Sequence, residues 1–88
     1  MIRSKEFLLR TVAGKQVLVP VGSAAVAFPG MVNVNMSGSY LWELLAQPQS
    51  MDSLVQGILN EYDVTDEIAR VDVDKFIQKL VSIGAVNQ

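Results

Sequence analysis

The chain reads as an α+β fold in which an N-terminal β-hairpin and a short third strand are followed by three helices. Three observations predict it. Phe7 to Val12 and Gln16 to Val21 are dense in strand-forming residues and flank Ala13-Gly14, a turn signal. Within residues 30–45, GMVNVNMSGSYLWELL, a period of two gives way to a helical period without a linker. Beyond residue 50, two further segments each open on a short polar cap residue and carry one apolar stripe.

Taken in order, the two hairpin strands come first, with Pro20 at a strand end or on an edge because it has no N–H to donate. Val21 to Met31 is small-residue sequence punctuated by Gly22, Pro29 and Gly30, and is expected to be a loop with an extended turn near Ala25 to Phe28. Val32 and Val34 then point one way while Asn33 and Asn35 point the other, as in a half-buried strand spanning Met31 to Asn35. Asn35, Ser37 and Ser39 can cap the helix in which Leu41, Leu44 and Leu45 recur. Gln47-Pro48-Gln49 ends it. Ser50 caps a second helix, closed by Asp63, with Met51, Leu54, Val55, Ile58 and Tyr62 on one face. Thr65 caps the third, whose core stripe is Ala69, Val73, Phe76, Ile77 and Leu80, widened by Ile68 and Ile83 and stopped at Gly84. Ala85 and Val86 add a last extended segment. Strands followed by helices in this order read as the winged-helix kind of α+β domain, and residues 1–88 are expected to form a single domain.

Half of the 88 residues are apolar and only 18% are charged, too hydrophobic for a disordered tail, yet no apolar run approaches a membrane span. No signal-peptide pattern is visible near Arg3 and Lys5, so a cytoplasmic protein with no membrane partner is expected. Histidine and cysteine are both absent, which removes the commonest general base, the thiol nucleophile and thiolate zinc sites. The acids are scattered, and those at Asp63, Asp66 and Glu67 read as loop and cap residues. No catalytic residue, metal or cofactor is therefore expected, and the chain is not expected to be an enzyme. Trp42, Met31, Met36 and Met51 read as packing residues.

The distribution of charge says more than the net charge of -2. Every Lys and Arg lies at or before Lys15 or from Arg70 onward, so the two chain ends are expected to form a basic surface. DNA binding, as by a winged-helix transcriptional regulator, is the rival reading. It is weakened by a second helix without cations, by a third in which Arg70, Lys75 and Lys79 alternate with acids, and by an isoelectric point of about 4.8. A structural subunit with no peptide ligand is a third reading. A single short strand beside helices leaves backbone N–H and C=O groups open on its free side, where a peptide or a second copy of the chain can add as a strand.

At Val32 to Leu45, Glu61 to Val64 (EYDV) and Asp72 to Val86 (DVDKFIQKLVSIGAV), the chain resembles the PqqD family, pyrroloquinoline quinone biosynthesis protein D and its relatives. The matching pattern is a strand ending in Asn35, LWELL at Leu41 to Leu45, Pro48, EYDV, then Asp72, Val73, Phe76, Leu80 and Gly84; LVPVG at Leu18 to Gly22 is similar too. The resemblance implies a small recognition module that binds the leader of a ribosomally made precursor peptide and presents it to a modifying enzyme, often a radical S-adenosylmethionine protein. It further implies that the leader adds beside the third strand and packs on the third helix. The candidate peptide-binding residues are then Met31, Val32, Asn33 and Val34 on the strand, with Asp72, Lys75, Phe76, Lys79 and Ile83 on the helix. Phe76 and Ile83 would meet alternate peptide side chains, and Lys75 and Lys79 acidic leader residues at the rim.

Overall fold

The computed structural model describes residues 1–28 and 30–87. Its elements are β1 (Ile2–Arg3), β2 (Phe7–Val12), β3 (Lys15–Pro20), α1 (Ser23–Ala27), β4 (Val32–Val34), α2 (Met36–Leu44), α3 (Met51–Glu61), α4 (Asp66–Ser82) and β5 (Val86–Asn87). The α+β order predicted from the sequence is thus observed.

Local chemistry accounts for most boundaries. Ala13 and Gly14 both have positive φ, 53° and 78°, the signature of a two-residue primed turn whose twist matches the strands it joins. The register follows, with Val12 opposite Lys15 and Phe7 opposite Pro20, so Pro20 does close its strand. Asn35 caps α2 by accepting from the Gly38 N–H at 2.8 Å. Ser50 and Ser53 exchange side-chain and backbone bonds at the start of α3, a capping box, and Thr65 accepts from Ile68 N–H at α4. At the far end of α4 the Ala85 N–H reaches Leu80 O at 2.8 Å and the Gly84 N–H reaches Val81 O at 3.1 Å, with Gly84 at φ 74°. This paired closure reverses the chain at a residue type that adopts the conformation without steric cost.

Four expectations need correction. Val21 to Met31 is not all loop: Ser23-Ala-Ala-Val-Ala27 forms α1, because three alanines favour helix even without a side-chain cap. Pro29, assigned to the same loop, lies outside the described residues. The third strand spans Val32–Val34, shorter than Met31 to Asn35, since Asn35 is taken up as the cap of α2. Asp63 does not close α3, which ends at Glu61 with Tyr62 as its cap residue. Met31 and Met36 are not packing residues, being 60% and 80% exposed, because each lies where the chain turns out of the core at an end of β4.

β3 lies between β2 and β4 in an antiparallel three-stranded sheet, and β1 pairs with β5 in a separate two-stranded one. The core runs from Phe7, Leu18, Val32 and Val34 of the sheet through Leu41, Trp42 and Leu45 of α2 to Leu54, Val55 and Ile58 of α3 and Ala69, Val73, Ile77 and Leu80 of α4. Trp42 is a core residue, 2% exposed. Backbone bonds from Arg3 N–H to Leu45 O and from Ser4 N–H to Ala85 O hold the N-terminal segment against both α2 and the turn after α4. Among the described residues no helix is long and apolar enough to cross a membrane.

Candidate functional site

β4 is an edge strand. Gln16, Val17 and Leu18 of β3 pair with Val34, Asn33 and Val32 on one side, and among the described residues its other side has no strand partner. Sequence dictates how it sits: Val32 and Val34 are buried in the core, while Asn33 between them is exposed. The backbone is thereby fixed by its apolar face and left accessible along its rim.

The open side borders a groove of about 810 Å³. Asn33, Val34 and Asn35 form one wall, Asp72, Lys75, Phe76 and Lys79 of α4 the other, and the end is closed by Gly14, Lys15 and Gln16 of the hairpin and the first residues of α2. The wall on α4 comes from positions three and four apart, which share one face of a helix. Phe76 and Leu41 make it partly apolar, and Phe76 is only half-buried.

Gly38 holds the three elements at this spacing. A Cβ there would lie 2.8 Å from Val34 Cγ1, 3.0 Å from Phe76 Cε1 and 3.1 Å from Asn35 Oδ1. Only a residue without a side chain lets α2 approach both β4 and α4 so closely.

Of the residues singled out in the sequence, Asn33, Val34, Asp72, Lys75, Phe76 and Lys79 are brought together in this groove. Val32 faces the core, and as the partner of Leu18 its backbone groups are turned toward β3, so the outward N–H and C=O of β4 are those of Asn33. Met31 and Ile83 are not among the lining residues; Met31 is exposed just before β4, and Ile83 caps α4 one turn beyond Lys79, half-buried against the core. The sequence reading did not include Gly14, Lys15, Gln16, Asn35, Met36, Ser37, Gly38 or Leu41 in the lining. For Lys15 the antiparallel register was the available signal, because the start of β3 must lie beside the end of β4. Gly38 carried none, since Ser37-Gly38-Ser39 reads locally as a turn or cap.

The basic residues do not make one surface. Lys15, Lys75 and Lys79 line the groove, whereas Arg3, Lys5 and Arg10 surround a second hollow of about 470 Å³ between β1, β2 and the end of α2. There Arg3 donates to Trp42 O at 3.1 Å and lies 5.6 Å from the indole centre. Arg70 stands apart from both, donating to Asp52 at 3.0 Å and Asp66 at 2.8 Å. The hydrogen bonds to Asp52 and then Asp66 push its pKa above the ordinary arginine value.

No curated protein matches the chain. Two solved structures share its fold. One, described as TbiB1 in complex with the TbiA(beta) leader peptide, is 20% identical, with a TM-score of 0.74 over 97% of this chain and 93% of that one. The other, lasso peptide synthetase B1 complexed with the leader peptide, is 17% identical, with a TM-score of 0.73 over 98% and 95%. The family model for coenzyme PQQ synthesis protein D (PqqD) matches residues 15–86, which include every element from β3 to α4, and the chain belongs to the PqqD family.

Proposed function

We propose that this chain, acting as one recognition domain over residues 1–88, binds the leader region of a ribosomally made precursor peptide and presents it to a modifying enzyme. The observation that carries this reading is the unpaired side of β4 opening onto a groove walled by α4. A peptide entering there satisfies its own backbone groups and those of β4 together, with alternate side chains directed at the groove. Asn33, between Val32 and Val34, supplies the outward N–H and C=O, and Met31 continues the edge. Phe76 receives apolar side chains, Asp72, Lys75 and Lys79 form the rim, and Ile83 extends the helix wall by a turn.

Membership of the PqqD family supports the role, as does the likeness to two proteins that were each solved with a leader peptide. The modifying enzyme is of the radical S-adenosylmethionine type, the pathway that of pyrroloquinoline quinone or a related modified peptide, and the compartment the cytoplasm where the precursor is made. The chain's part is binding without catalysis of its own. A DNA-binding role is not favoured, because α3 carries no Lys or Arg with which to meet phosphates. The free edge also allows a second copy to pair there, giving a dimer that leader displaces.

The test is calorimetric titration with a leader peptide that the protein binds, N-methylated at one backbone nitrogen at a time. Strand addition predicts that affinity falls at every second position, because only alternate N–H groups face β4. A uniform response along the peptide would rule out pairing at this edge.

A further inference from the structure

We infer that the peptide seated in this groove is acidic and carries carboxylates two residues apart, held by two lysines of the α4 wall and a third at the end that the hairpin closes. The inference rests on the strand-addition reading above and adds the chemical class of the segment bound. Three of the chain's seven Lys and Arg line the groove, against only Asp72 of its nine acids, so a chain of net charge -2 has a positively charged concavity. Such a wall raises the local concentration of anionic ligands.

These lysines are unused within the fold. Lys15, Lys75 and Lys79 are all exposed, and both ion pairs among the described residues belong to Arg70. A lysine whose role is to hold the fold would face one of the remaining acids.

Their spacing sets the register of the ligand. Lys75 and Lys79 are one helical turn apart, an axial separation of about 6 Å. Alternate residues of an extended strand repeat at about 6.8 Å, so the carboxylates of residues i and i+2 on the face turned toward α4 meet successive lysines. Lys15 precedes Gln16, the partner of Val34, and therefore lies beside Asn35 where the hairpin closes the groove. Asp72, one turn before Phe76 on the same face, repels a carboxylate placed there. The row of charges is thus asymmetric, and it favours one direction of entry.

The experiment needs no knowledge of the natural precursor. A displayed library of random-sequence peptides is selected on the protein and, in parallel, on a Lys15→Gln, Lys75→Gln, Lys79→Gln variant shown by circular dichroism to be folded. The wild-type pool is expected to be enriched in Asp or Glu at i and i+2, and the variant pool is not. A peptide from the wild-type pool should lose about tenfold in affinity at low salt when both carboxylates become amides, and much less at high salt. Asp72→Asn should tighten the acidic peptide by about two- to threefold. Equal acidic content in the two pools, or amide peptides that bind as well as the acids, would overturn the charge inference while leaving the groove reading intact. Failure of any peptide to be enriched on either protein would overturn both.

Discussion

Two faces of α4 carry cations of the same class and use them in opposite ways. On one, Arg70 is tied to Asp66 in its own helix and to Asp52 in α3, so its charge joins two helices. On the other, Lys75 and Lys79 face the groove and meet no carboxylate among the described residues. The difference shows that a charge pattern along a helix does not reveal its purpose. What decides is whether the neighbouring element offers a counter-charge, as α3 does, or an open edge, as β4 does.

The comparison breaks most completely if the edge itself is removed. Asn33→Pro replaces an exposed side chain but deletes a backbone N–H from β4, so leader affinity is expected to fall by at least tenfold in titration calorimetry. Asn33→Ala serves as the side-chain control. A folded Asn33→Pro protein with unaltered affinity would leave the open edge without a role.

A Cβ at Gly38 disturbs the groove face while sparing Arg70. Overpacking against Val34 and Phe76 costs about 1–3 kcal/mol, more than the roughly 1 kcal/mol of helix propensity that alanine gains over glycine. Gly38→Ala should therefore lower the urea midpoint and weaken leader binding together. An alanine variant as stable as the parent would show that the three elements can move apart freely.

The two charged faces separate most sharply in a paired measurement. Lys75→Gln, in mid-helix on the groove face, is expected to leave the melting temperature unchanged and to weaken leader binding, more at low ionic strength than at high. Arg70→Gln should do the reverse, with a small, salt-sensitive fall in melting temperature and unchanged leader affinity. If both variants altered the same property, the division of labour on α4 would be wrong.

The smallest effect concerns the turn that closes the groove. Ala13 holds φ 53°, a conformation that costs a residue with a Cβ about 1–2 kcal/mol, so Ala13→Gly should raise stability by up to about 1 kcal/mol in chemical denaturation. Leader affinity should not change, because Ala13 is not part of the groove lining.

The features legible in the sequence are those whose causes lie within a few residues. Asn35, Ser50 and Thr65 announce helix starts through side chains that reach backbone N–H groups three residues on, and Gly84 announces a stop through its own φ. The alternation of Val32, Asn33 and Val34 likewise shows which face of β4 is buried. The same local grammar misleads at Ser23–Ala27, where flanking glycines suggest a loop but the alanines between them make a helical turn. It also leaves β1 unannounced, since a strand of two residues exists only because β5 comes back to meet it.

The sequence by itself therefore determined the order of strands and helices, their caps and turns, and the stripe of α4 that enters the core. Tertiary structure alone decided that Lys15 joins Lys75 and Lys79, that Gly38 sets the distance between β4 and α4, and that Met36 lies at the groove instead of in the core. The physical reason is range. Caps and turns are formed by hydrogen bonds a few residues long, whereas the groove is assembled from segments about twenty to sixty residues apart by burial of apolar surface, which is non-directional and leaves no local mark on the residues it brings together.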